Sequence, residues 1–296
     1  MNLGISINLF NGEELLESSL KHIRDYSDNI VIIYQNVSNF GSHKKNLTPL
    51  IKKLKSKKLL DHYILYEPKK DFIGLDKNIK ELIINEANIF NGQAYDQSIY
   101  YGIFNEMNKR NISLNFLREC GCTHVLDMDC DEFYLDHQLI YGIEEMIRGG
   151  YDGSFCQMQT YYKYFDCKIS PPETYYVPFI YKIKPTSKFE QIENADFPVY
   201  CDGKRRIKTG YPYVFSREEL EMHHFSYVRK NKESMKSKFL NCSSRMNFNE
   251  AKINKLIDHW EIYEKGNLAL FNANGMGVKL CEIEKIDEPL FNIKFN

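Results

Sequence analysis

Several features are missing from this sequence, and each absence narrows what the chain can be. Its 39 Lys and Arg residues stand against 40 Asp and Glu, a formal net charge of -1. No global field therefore draws it to nucleic acid or anionic lipid, and nucleic acid is not an expected partner. No stretch approaches the roughly 18 to 20 consecutive apolar residues that a membrane span needs. The eight cysteines contain no Cys-x-x-Cys pair, and the opening MNLGISINLF has neither a basic leader nor a long apolar run. Both features predict reduced thiols in a cytoplasmic setting. Internal repeats and low-complexity linkers are absent too, which predicts one continuous domain. An apolar share of 43% is enough to build a sizeable core.

The patterning predicts alternating strands and helices. Residues 3 to 8 form a short apolar strand, and Leu16, Leu20 and Ile23 recur at helical spacing after Glu13. Ile30 to Ile33 is a β-branched strand closed by the polar stretch Gln35 to Gly41. Leu47 to Leu59 is helical with a lysine-rich outer face, and His62 to Tyr66 is a third strand. Residues 67 to 96 are weakly patterned, with a helical piece at Ile79 to Ala87. A long helix follows from Gln97 to Arg118, with a break expected near Asn111. Thr123 to Leu126 is then a strand that runs into DMDCDEFY. Beyond it come a helix at Ile140 to Arg148, strands at Ser154 to Tyr161, Tyr175 to Ile183 and Glu221 to Arg229, and a helix at Glu250 to Gly266 around the only tryptophan, Trp260.

The acidic cluster carries the chemistry. Asp127, Asp129, Asp131 and Glu132 lie within six residues at the carboxyl end of a strand, where open α/β sheets bind ligands. That much negative charge is costly without compensating cations or donors. In an extended segment the three aspartates share a face, so hard oxygen ligands at alternate positions suit Mg²⁺ or Mn²⁺ together with phosphate oxygens.

The phrase THVLDMDCDEFY resembles the "hydrophobic strand, DxDEF" signature of GT-A glycosyltransferases and singles out Asp129 and Asp131. SINLFNGEELLE resembles the opening strand and turn of family 2 glycosyltransferases, with Asn11 and Glu13 in matching places, and IVIIYQNVSN resembles their second strand. The resemblance implies an α/β fold, a three-layer α/β/α sandwich with a mixed, mainly parallel sheet and a C-terminal helical tail. It implies a nucleotide-sugar half at residues 1 to 135, an acceptor half at 136 to 240 and the tail at 241 to 296. Asn8, Asn11, Glu13, Tyr34 and Gln35 would approach the nucleoside, with Tyr34 stacking on it. Gln35 stands where the family usually has a base-reading Asp. EMHHFSYVRKNKESMKSKF resembles an "HxSYVR" segment of bacterial relatives, in which a late histidine joins the metal site. It implies that His224 joins Asp129 and Asp131 on the metal and that Arg229 and Lys236 meet phosphate.

The implied reaction moves a sugar from a nucleotide diphospho-sugar, UDP-sugar first among them, to a hydroxyl of a glycan or lipid-linked glycan. The implied setting is bacterial surface-polysaccharide synthesis in the cytoplasm, with a peripheral contact at the inner face of the membrane. Candidates for the base are Glu190, Glu193, Asp196 and Asp202, with Asp131 counted among the catalytic groups. The row Lys204, Arg205, Arg206 reads as a solvated turn or as a clasp for an anionic acceptor or the donor phosphates.

Other classes share parts of this pattern. A phosphohydrolase of the haloacid dehalogenase type would use Asp127 as nucleophile and Asp129 as acid. A sugar nucleotidyltransferase shares the sheet architecture but opens with a glycine-rich loop, which SINLFNGEELL does not offer. A non-catalytic nucleotide- or glycan-binding protein could retain the same aspartates.

Overall fold

A computed structural model describes residues 1–27, 29–39, 45–69, 98–192, 194–241, 250–263 and 282–296. The helical piece expected at Ile79 to Ala87 lies outside them.

The strands are β1 (Leu3–Leu9), β2 (Asn29–Tyr34), β3 (His62–Leu65), β4 (His124–Asp129), β5 (Glu132–Tyr134), β6 (Gly153–Tyr162), β7 (Cys167–Ser170), β8 (Tyr176–Lys182), β9 (Pro212–Val214), β10 (Glu221–Tyr227) and β11 (Glu282–Lys285). The helices are α1 (Leu16–Ile23), α2 (Thr48–Ser56), α3 (Ser98–Glu119), α4 (Asp136–Gly149), α5 (Lys232–Asn241) and α6 (Glu250–Ile262). The main path of the sheet runs β11-β7-β6-β8-β4-β1-β2-β3. Strands β4, β1, β2 and β3 are parallel, and β8 joins β4 antiparallel. On its other edge β6 pairs in parallel with β9 and β10, and β10 also carries β5 antiparallel.

Burial explains the layers. Every residue of β1 is buried, as a parallel strand covered on both faces requires. Leu16 and Leu20 of α1, Ile51 of α2 and Leu139 of α4 pack with Ile5 and Ile32 on one face. Leu114 and Leu117 of α3 pack with Val31 and Val125 on the other. The result is the expected three-layer α/β/α arrangement.

Two sequence expectations need correction. The long helix does not break at Asn111. Its side-chain amide instead holds the loop beside the helix, donating to Phe189 O at 2.9 Å and accepting from Phe189 N at 2.7 Å. The C-terminal tail is helical only in part. After α6, β11 pairs antiparallel with β7, and Ile293 and Phe291 pack with Phe133 and Phe225. Alternating apolar residues at Phe291, Ile293 and Phe295 favour this extended packing over a helix. Among the described residues no helix is long and apolar enough to cross a membrane.

The parallel register sets the site. Asn8 lies opposite Asp129 and Leu9 opposite Tyr34, so β1, β2 and β4 end along one edge of the sheet. Strand β10 brings His224 opposite Glu132 on β5.

Candidate functional site

The four acidic side chains of the cluster have different surroundings. Asp127 and Asp129 alternate with Met128, whose side chain joins the core, so the two carboxylates face α3. There Arg110, 1% exposed, reaches Asp127 in a close ion pair and Asp129 Oδ1 at 3.1 Å, while Glu106 accepts from the same guanidinium at 3.1 Å. Asn8 Nδ2 donates to the other Asp127 oxygen at 3.2 Å. Both oxygens of Asp127 are thus occupied. Glu132 is held on both oxygens by the buried Arg205, and its Oε2 accepts from Asp129 N at 3.1 Å. Burial raises the Glu132 carboxyl to about 7 against the opposing pull of Arg205. Side-chain exposure separates the set: 2% for Asp127, 2% for Glu132, 9% for Asp131 and 37% for Asp129. Of the four, only Asp129 opens broadly to solvent.

Asp131 turns away from Arg110 toward β10. Arg229 Nη2 donates to its Oδ2 at 2.6 Å, and His224 Nε2 faces its Oδ1 at 3.8 Å. Burial works against the Asp131 charge, yet Arg229, His224 and Lys238 outweigh it and hold the carboxyl well below its ordinary range. Burial lowers His224 to about 4 despite Asp131 beside it. The imidazole is therefore neutral at physiological pH, the form that ligates metals.

The loop after β1 is drawn onto this turn. Cys130 Sγ donates to Gly12 O at 3.2 Å, and Gly12 adopts φ 91°. A Cβ on Gly12 would sit 3.0 Å from Cys130 Sγ and 3.6 Å from Arg229 Nη2, so both the backbone conformation and the space call for glycine.

The other candidates fall in varied places. Asn11 Oδ1 accepts from Ser237 Oγ at 3.1 Å, beside the cluster. Glu13 is paired with Lys45 at 2.8 Å. Tyr34 is 1% exposed in the core, and its hydroxyl meets Thr48 Oγ1 at 3.1 Å. The stacking role expected of it is corrected, because alternation along β2 turns its ring toward α2. Gln35 is buried at the end of β2. Its Nε2 donates to Val37 O at 2.8 Å and to Asn39 Oδ1 at 2.9 Å, while its Oε1 has no partner.

Arg229 does not present its guanidinium to solvent as a phosphate partner would. Besides Asp131 it donates to Phe225 O and Val228 O, each at 3.3 Å, and its side chain is 2% exposed. Lys236 lies on α5. Glu190 pairs with Lys188 at 2.8 Å, and its backbone joins that of Arg206. Asp202 caps the turn Gly203–Arg205, accepting from Lys204 N at 2.9 Å and facing Lys204 Nζ at 3.0 Å. Asp196 sits in an exposed turn, and Glu193 lies outside the described residues. The basic row is not a solvated turn, and Arg205 and Arg206 are buried on partners within the chain rather than held out to clasp an anion. Arg205 braces the acidic cluster, and Arg206 donates to the carbonyls of Ile192 and Cys201.

Sequence reasoning missed Arg110 and Glu106. A signal was present, since Glu106, Arg110 and Ser113 recur at helical spacing on one stripe, and charged residues there need partners across the layer.

Among the described residues no three His, Cys, Asp or Glu side chains converge as a metal-holding group. The donor chemistry fits a divalent cation through two ligands, an ionised Asp131 oxygen and a neutral His224 nitrogen facing each other. Mg²⁺ commonly takes only one or two carboxylates and completes its shell from substrate phosphates and water.

The neutral histidines give a pH expectation. His223, 3% exposed, is lowered to about 3 chiefly by burial. Its folded value lies below the unfolded one near 6.5, so below that pH the unfolded chain binds a proton that the folded chain refuses. Stability should fall with falling pH at up to about 1.4 kcal/mol per pH unit from this group. Glu132, raised to about 7, acts in the opposite direction over part of that range. Melting curves from pH 7 to 5 should therefore show a steeper decline for the wild type than for His223→Gln. Equal slopes would rule the linkage out.

No protein-family model and no curated protein sequence matches the chain. Among solved structures, the likeness to Staphylococcus aureus TarS 1-349 has 12% identity and a TM-score of 0.39, covering 90% of this chain and 74% of that one. For the same protein in complex with UDP-GlcNAc the identity is 12% and the TM-score 0.40, over 88% and 72% of the chains. A mannose-1-phosphate geranyltransferase from Thermus thermophilus follows at 10% identity and a TM-score of 0.28, over 62% and 51%.

Proposed function

We propose that this chain is a GT-A type glycosyltransferase that moves a sugar from a nucleotide diphospho-sugar to a hydroxyl of a glycan or lipid-linked glycan. One observation carries the reading. At the carboxyl edge of the parallel strands, Asp127 and Glu132 are consumed by arginines, while Asp131 Oδ1 and His224 Nε2 face each other at 3.8 Å. A surface acidic loop would not be sorted in this way.

Asp131 and His224 would hold Mn²⁺ or Mg²⁺, which supplies charge neutralisation for a departing diphosphate. Asp129, open to solvent and steadied by Arg110, would accept hydrogen bonds from donor hydroxyls. Asn8 and Asn11 line the nucleoside end. Asp202 is the carboxylate we assign to the acceptor proton: like Glu190 it has a lysine partner, but it caps the turn that carries Arg205 to the cluster. The phosphohydrolase reading is disfavoured, because its nucleophile would be Asp127, a buried carboxylate with both oxygens engaged.

Gln35 is not assigned to the base, because it is fully buried with its amide nitrogen held by Val37 O and Asn39 Oδ1. Calorimetry should show UDP binding in the presence of Mn²⁺ that a chelator weakens. Absence of binding by any nucleoside diphosphate would sink the glycosyltransferase reading itself.

A further inference from the structure

We infer that Arg229 is a positioning residue that fixes which oxygen of Asp131 is offered to the metal, and that it does not bind the donor phosphates. The inference rests on Asp131 and His224 being the protein's metal ligands.

The guanidinium is spent in three directions. Nη1 donates to Phe225 O and Val228 O at 3.3 Å each, and Nη2 donates to Asp131 Oδ2 at 2.6 Å. Its Nε is buried with no acceptor. Both carbonyls belong to the chain directly after His224. Phe225 N in turn donates to Asp131 O at 2.8 Å. The side chain that orients the carboxylate is thereby anchored to the backbone that carries the histidine. A planar fork with fixed donor directions can make such a bridge, and a lysine ammonium cannot match all three acceptors at once.

The consequence is a one-sided carboxylate. With Oδ2 capped, rotation about the Asp131 side chain is blocked, and Oδ1 is the oxygen left toward His224 Nε2 at 3.8 Å. Two ligands held ready lose less freedom on taking up a cation than two that must be gathered, the general role of groups behind a metal's direct ligands. The approach to Arg229 is closed as well. Gly12 lies so near that a Cβ there would be 3.6 Å from Nη2 and 3.7 Å from Nη1, which leaves no room for a phosphate group between the loop and the guanidinium.

The test is Mn²⁺ binding by electron paramagnetic resonance on the full chain, with Arg229→Lys and Arg229→Met, alongside UDP binding in the presence of a chelator. Positioning predicts Mn²⁺ dissociation constants that rise about 10-fold or more in Arg229→Met, less in Arg229→Lys, with chelator-state UDP binding unchanged. Unchanged or tighter Mn²⁺ binding in Arg229→Lys overturns the inference even if Arg229→Met does not fold. A parallel loss of chelator-state UDP binding also overturns it, since it shows direct phosphate contact. If the wild type binds UDP but no Mn²⁺, the assignment of the metal ligands fails, and this inference fails with it.

Discussion

Asp131→Asn should lower sugar transfer by about 10²- to 10³-fold, the loss typical when a group stabilising transition-state charge is removed. The substitution keeps the volume and the hydrogen bond to Arg229 Nη2 through the amide oxygen, so the turn should stay folded. What it loses is the anionic oxygen facing His224. On the proposed function that oxygen serves the leaving diphosphate, so the fall should lie in kcat more than in the donor KM. Asp127→Asn is the informative control. Asp127 is bound on both oxygens by Arg110 and Asn8, so its loss should appear mainly in the melting temperature. If Asp131→Asn retained more than about a tenth of wild-type transfer, the role assigned to Asp131 would be wrong.

Arg205→Met should cost stability on a scale that few other single changes in this chain approach. Arg205 is 5% exposed, donates to both oxygens of Glu132 and to the carbonyl of Asp127, and bridges residues 73 positions apart. Removing one partner of a buried pair leaves the other uncompensated, at about 3 to 5 kcal/mol. Against a total stability of roughly 5 to 15 kcal/mol, the melting temperature should fall by on the order of 10 °C. Glu132 is already raised to about 7, so the orphaned carboxyl would take up a proton and part of the loss would return at acid pH. Pairing the change with Glu132→Gln removes the buried charge and should recover part of the deficit. Calorimetry that placed Arg205→Met within about 2 °C of wild type would show that the pair contributes little.

Much of the fold could be read along the chain because local pattern and burial agree. The apolar runs at β1, β2 and β4 are buried on both faces, and the periodic residues of α1 and α2 reach the core. The unbroken course of α3 could not be foreseen, because a polar Asn111 looks like a break until Phe189 arrives to occupy its amide. Strands β7, β9 and β11 are short segments whose pairing partners lie far away in sequence, and they were not foreseen.

The acidic phrase Asp127 to Glu132 and the histidine at 224 were visible as residue types with the right chemistry. Their division of labour was not. Alternation along an extended strand places Asp127 and Asp129 on one face, and that much follows from local geometry. Which of them stays open to solvent depends on Arg110 from a helix and Arg205 from a loop, and a lone sequence does not show which distant cation meets which carboxylate. Arg229 illustrates the same limit, since its charge suggested phosphate while its place against Phe225, Val228 and Asp131 makes it a brace. By itself the sequence determined the order of strands and helices and the position of an acidic turn at a strand's end, because these follow from the periodicity of apolar residues. Tertiary structure alone decided which oxygens and nitrogens remain unpaired, because a charge taken out of water is neutralised by whatever long-range contact the packed layers bring to it.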